Sequence, residues 1–140
     1  MITIDTSTDF GARVRQHLDN NRIIWLVTVD GAGTPQPSPV WFLSYEGGVL
    51  IFSQPNTAKV RNIERNPKVA LHFDGDQYGG DIVIMTGVAS IDHNLPPAVD
   101  LPDYLAKYLD GIQSINMTPQ SFTDEYSVPI LIDLQQLRGH

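Results

Sequence analysis

The sequence predicts a mainly β protein, with about six short antiparallel strands curled into a small closed or split barrel and helices near the start, middle and end. Two observations predict it. Runs rich in β-branched and aromatic residues recur along the chain, separated mostly by short turns, which imply hairpins and antiparallel pairing. In addition, Pro35, Pro37 and Pro39 stand two apart in one extended stretch. Such residues present their missing N–H toward the same edge, so this stretch belongs at a sheet margin or where a barrel splits. Closure of short strands into a barrel removes the remaining edges. The length of 140 residues suits one domain with its own core, and no repeat or low-complexity segment divides residues 1–140.

In chain order, residues 7–20 read as a helix, with Ser7 or Thr8 as cap and Phe10, Val14 and Leu18 recurring every fourth position. IIWLVTVD (23–30) is a strand, turned back by Gly31-Ala32-Gly33. The proline-bearing stretch runs from Thr34 to Tyr45 as a single strand, and Glu46-Gly47-Gly48 makes a hairpin into VLIFS (49–53). Gln54 to Asn56 form a turn, Asn56 or Thr57 caps a short helix, and Pro67 stops it. Strands follow at 68–73 and 82–92, a proline- and aspartate-rich loop at 94–102, and a short helix from Pro102 to Leu109. Thr118-Pro119 starts another helix, and Ser127 to Leu137 is the last strand.

Composition narrows the function. Apolar residues at 41% and charged residues at 18% are ordinary for a globular chain. No apolar run approaches the roughly eighteen residues of a membrane span, and MITIDTSTDF lacks the pattern of a secretory signal. The expected location is cytoplasmic, without a membrane partner. The absence of cysteine excludes disulfides, thiolate metal sites and cysteine nucleophiles. A net charge of -7 argues against nucleic acid as a partner.

Against that acidic background, SQPNTAKVRNIERNP (53–67) and the residue after it are anomalous: Lys59, Arg61, Arg65 and Lys68 are four of only nine cations, accompanied by Glu64 alone. A helix N-terminus with a hydroxyl, free N–H groups and nearby cations can seat a phosphate. On a helical projection Thr57, Arg61 and Arg65 share one side, with Ala58 close by, while Val60 and Ile63 face the barrel and Lys59 and Asn62 project between. A solvated basic face fits the charge equally well. The proline stretch likewise reads either as backbone against which a planar polar ligand lies or as a plain protected edge. Other motifs fall away. The loop from Asp74 begins like a calcium loop but has Tyr78 at its fifth position and Met85 at its twelfth. His17, His72, His93 and His140 lack metal-ligand spacing. No dinucleotide fingerprint, phosphate-binding loop or nucleophile elbow is present, so any catalysis would draw on a bound cofactor.

Three segments, IIWLVTVDGAGTPQPSPVWF (23–42), VLIFSQPNTAKVRNIERNPKVALHF (49–73) and GDIVIMTGVASI (80–91), together with the closing SVPILIDLQQLRGH, resemble the flavin-binding split-barrel proteins, the pyridoxamine 5′-phosphate oxidase-like superfamily. PQPSPVWF and the Arg138-Gly139-His140 end resemble its branch that uses the deazaflavin coenzyme F420. The resemblance implies a six-stranded antiparallel split β-barrel with flanking helices, assembled as a homodimer with cofactor sites at the interface. It implies an F420H2-dependent reductase that passes a hydride to an unsaturated small molecule. FMN-dependent oxidoreduction is the alternative, as is non-catalytic binding of a cofactor or haem. Carried over by position, Ser53, Thr57 and Lys59 would hold the cofactor phosphate, beside Gln54, Ala58, Arg61 and Asn62. Ser38, Pro39, Val40 and Trp41 would line the ring. Two departures stand out. Ala58-Lys59 replaces the Arg-Lys pair of the true oxidases, which favours F420 over FMN, and the C-terminal substrate signature of those oxidases is absent. No residue stands out as a proton donor.

Overall fold

The computed structural model describes all 140 residues. One antiparallel sheet contains β1 (Ile24–Val29), β2 (Pro35–Val40), β3 (Leu43–Tyr45), β4 (Gly48–Ser53), β5 (Lys68–His72), β6 (Val83–Ile91) and β7 (Val128–Gly139), in the order β2-β1-β5-β6-β7-β4-β3. Helices α1 (Asp9–Asn20), α2 (Ala58–Arg65), α3 (Pro102–Ser114) and α4 (Pro119–Glu125) flank it. Thr8 caps α1 and Thr57 caps α2, each side-chain oxygen accepting a backbone N–H of the first turn. Thr118 and Ser121 form a reciprocal capping box at α4.

The sheet has seven strands, not six. The expected single strand from Thr34 to Tyr45 breaks at Trp41-Phe42. Its first half pairs with β1 and its second with β4, at opposite ends of the strand order. One short corner therefore joins both margins and curls the sheet into a half-barrel. The break has a physical cause. The Phe42 N–H donates to the Tyr108 hydroxyl (2.8 Å), which itself donates to the Arg22 carbonyl (2.7 Å), and the Lys107 ammonium donates to the Phe42 carbonyl (3.0 Å). Groups of α3 thus satisfy the corner's backbone where a strand neighbour would otherwise have to.

The prolines lie at the margin, as their spacing requires. Pro35, Pro37 and Pro39 stand opposite Val29, Val27 and Trp25. The Asp30 N–H bonds to the Thr34 carbonyl (3.0 Å), which sets the alternation. Gln36, Ser38 and Val40 then exchange ladder bonds with Thr28, Leu26 and Ile24. The outer edge of β2 consequently presents carbonyl oxygens and no N–H donors at the proline positions.

The concave side holds the larger core. Ile24 and Leu26 of β1, Leu71, Met85 and Ile130 pack with Val14 and Leu18 of α1 and Val60 and Ile63 of α2. Each such side chain contributes roughly 1.5–3 kcal/mol when fully buried. A second cluster lies on the other face of β4, where Leu50 and Phe52 meet Tyr104, Tyr108, Ile112 and Phe122. β4 is buried at every position because it runs between the two cores. α3 extends five residues past the expected Leu109, to Ser114, because Tyr104, Tyr108 and Ile112 continue the same buried stripe. The Glu46-Gly47 turn has positive φ at both residues (49° and 80°), as a two-residue hairpin needs.

Asp81 ties α1 to the approach to β6. Its carboxylate lies 2.9 Å from both the Arg13 guanidinium and His17 Nε2. The His17 hydrogen bond, assisted by Arg13, holds the Asp81 carboxyl below its ordinary value. A depressed folded value stabilises above the unfolded one and is lost as pH falls through the folded one. Asp81→Asn retains the left-handed backbone (φ 54°) that Asn and Asp tolerate. It is expected to remove part of the stability difference between about pH 5 and about pH 2, read by urea unfolding at each pH. An acid limb identical to that of the parent would show that the contact contributes nothing.

Candidate functional site

Two chain segments distant in sequence meet at one cleft. On one side the end of β4 delivers Phe52, Ser53 and Gln54, and α2 begins at once with its cap Thr57 and with Lys59. On the other, the end of β2 and the corner deliver Pro39, Val40 and Trp41. Ile23 and the α3–α4 unit, through Tyr104, Ile115, Phe122 and Tyr126, complete a cavity of about 430 Å³. A larger hollow of about 530 Å³ lies on the outer sheet face among Val27, Ala70, Thr86 and Val88, with Lys68 beside them. That hollow has neither an aromatic wall nor a helix N-terminus. The smaller cleft has both, and it is the chemically equipped one.

At its polar end the Ser53 and Thr57 hydroxyls lie 3.1 Å apart, and the Thr57 oxygen accepts the Val60 N–H at the start of α2. Lys59 is half-buried and forms none of the chain's ion pairs. Burial holds its ammonium below the ordinary lysine value. A partly desolvated cation without a counter-ion, beside two hydroxyls and a helix N-terminus, matches an anion. The Gln54 amide donates to Glu125 of α4 (2.9 Å), tying the β4 side of the cleft to α4.

The aromatic end is built on Trp41. Its indole stacks on Tyr108 (centroids 4.7 Å, 6°) and on Phe122 (5.6 Å, 21°), and Phe122 stacks on Tyr126 (4.4 Å). Gly111 makes this possible, since a Cβ there would come within 3.0 Å of the Trp41 ring. A glycine that weakens α3 by about 1 kcal/mol thus admits the indole.

Of the residues expected at the site, Pro39, Val40, Trp41, Ser53, Gln54, Thr57 and Lys59 line one cleft. Ser38, Ala58, Arg61 and Asn62 are not among its lining residues. Asn62 is buried, and its amide donates to the Thr28 hydroxyl (3.0 Å), pinning α2 to β1. The exposed Arg61 donates to the Asn56 carbonyl, and Arg65 lies against Gly31 near Asp30. The basic cluster therefore resolves into one cleft lysine and three cations engaged or exposed elsewhere. Sequence reading missed Ile23, Phe52, Tyr104, Ile115, Phe122 and Tyr126. The available signal was the pairs Tyr104/Tyr108 and Phe122/Tyr126, each four apart, the first on α3 and the second on α4 and its C-cap.

The sequence pattern of the pyridoxamine 5′-phosphate oxidase family matches residues 10–124, most of the chain and both walls of the cleft except Tyr126. The chain belongs to this family. Solved structures agree on the fold. A conserved hypothetical protein of Mycobacterium tuberculosis is 21% identical (TM-score 0.68), with 91% of this chain and 81% of that one covered. An F420 reductase is 21% identical (TM-score 0.66), with coverage of 89% and 94%. HutZ, the haem storage protein of Vibrio cholerae, is 16% identical (TM-score 0.62), with coverage of 94% and 95%. No protein of curated function matches in sequence. The family's fold is thus shared by oxidoreductases and haem-storage proteins, and no helix of this member is long and apolar enough to cross a membrane.

Proposed function

We propose that this family member is an F420H2-dependent reductase, in which a reduced deazaflavin supplies a hydride to an unsaturated small molecule such as an enone or quinone. The observation that carries the reading is Lys59, half-buried and without a counter-ion at the polar end of a cleft whose other end is aromatic. Lys59, Ser53, Thr57 and the first N–H groups of α2 would hold the cofactor phosphate. Pro39, Val40 and Trp41 would flank the ring. The protein's contribution is then orientation and exclusion of water, with no side-chain nucleophile required. The lone cation at the anchor supports F420 over FMN, because Ala58 stands where the true oxidases carry a second one. A haem reading finds no histidine among the residues lining the cleft.

The proposal includes a homodimer. Trp25, Val27, Ile84 and Val88 leave an apolar, partly exposed surface on the outer face of β1 and β6 that a second copy would cover. The test is a side-by-side fluorescence titration of the purified protein with F420 and with FMN. Saturable binding of F420, together with oxidation of F420H2 in the presence of 1,4-naphthoquinone, is expected. Binding of FMN alone would replace the reading with FMN-dependent chemistry. Tight binding without turnover would make the protein a carrier.

A further inference from the structure

We propose that the Tyr104 hydroxyl is a hydrogen-bond donor reserved for a carbonyl oxygen of the molecule that occupies the cleft. The inference rests on the cofactor reading above and adds a residue to it. α3 carries two buried tyrosines one turn apart. The Tyr108 hydroxyl is fully engaged at the strand corner. The Tyr104 side chain is 0% exposed, and its hydroxyl has no hydrogen-bond partner in the protein. If the residue served packing alone, phenylalanine would fill the same space without leaving a buried donor unpaired.

The ring is held in place. Phe52 meets it edge-on (5.1 Å), Tyr108 lies at 4.9 Å and Phe122 at 6.0 Å. Phe52 and Phe122 line the cleft together with Tyr104. Burial raises the ionisation of the phenol far above its ordinary value, with the neighbouring Tyr108 and Tyr126 adding to it, so its proton stays in place for donation. No acceptor of the protein lies within hydrogen-bond distance of it, and the cleft's own polar side chains are engaged elsewhere: the Gln54 NH2 donates to Glu125, and the Ser53 and Thr57 hydroxyls bond to each other. The partner must come with the occupant. Apolar surroundings disfavour an anion at this end, whereas a neutral carbonyl suits them. Both a deazaflavin-type ring and an enone or quinone carry one.

Tyr104→Phe deletes only the oxygen. Thermal unfolding of the ligand-free variant is expected at the parent temperature or a few degrees above it. Titration with F420 and with FMN, and the KM for 1,4-naphthoquinone, then locate the acceptor. A loss of cofactor affinity of about three- to tenfold assigns it to the ring. Retained cofactor affinity with KM raised by a similar factor assigns it to the substrate. If the parent protein binds neither cofactor, the reading above fails by itself. The tyrosine is then judged from naphthoquinone quenching of tryptophan fluorescence, Trp41 standing in the wall, again with weaker binding expected in the variant. Equal affinities and KM in parent and variant, or a lower unfolding temperature in the variant, would overturn the proposal.

Discussion

Replacing Lys59 with alanine is expected to weaken cofactor binding by about tenfold to about a hundredfold, the worth of a hydrogen bond to a charged group. Unfolding stability should stay within about 0.5 kcal/mol of the parent. The two expectations come from the same observation. The Lys59 ammonium forms no hydrogen bond or ion pair in the protein, so the fold loses no polar contact with it. Its ammonium is half-desolvated, so an anion gains more from it than from a fully hydrated surface lysine. The pH dependence follows in sign. Only the protonated amine attracts a phosphate, and burial sets its dissociation below the ordinary 10.5. Affinity should be level near neutrality and decline in alkali sooner than an unperturbed lysine would dictate. Lys59→Arg, which stays charged, should flatten that decline. Both variants can be followed by fluorescence titration from about pH 7 to about pH 10, with urea unfolding run alongside. Undiminished affinity in Lys59→Ala would remove the anchor from this end of the cleft.

Tyr108→Phe should cost about 2–4 kcal/mol of stability, because it strands the Phe42 N–H and the Arg22 carbonyl together. The effect reaches the cleft, since Tyr108 also stacks under Trp41 and fixes the corner that carries it. Urea unfolding should show the loss, and cofactor titration should show a weaker, secondary one. The comparison with Tyr104→Phe sharpens the test. The same atom is deleted at two positions one turn apart, yet stability should fall at 108 and hold or rise at 104. If Tyr108→Phe unfolded with the parent, the account of the strand break would be wrong.

What could be read from the sequence was what is locally encoded. Thr57 sits where a cap must sit, and the alternate prolines force an edge whatever surrounds them. The hairpin turns announce the antiparallel pairing of β1 with β2, β3 with β4 and β5 with β6. The break at Trp41-Phe42 could not be read, because Val40, Trp41, Phe42 and Tyr45 all favour an extended chain. Its cause lies in Lys107 and Tyr108, more than sixty residues away. The aromatic wall escaped for the same reason. Tyr104 and Phe122 look like ordinary core residues of short helices until folding sets them against Phe52. Asn62 shows the opposite error: it stands three residues after Lys59 and looks like a ligand-binding residue, but its position on the helix turns it inward to Thr28.

The proline-lined margin of β2 has one more effect. A bare strand with its full set of donors and acceptors recruits other strands, and proteins commonly seal such a strand under a helix or loop. Here an incoming chain would find acceptors only and could complete just half of its bonds with β2. The margin can therefore remain uncovered without becoming a seed for fibrils. Since Pro39 belongs both to that margin and to the cleft wall, the residue that blocks the pairing of an added strand also keeps such a strand from settling beside the cleft.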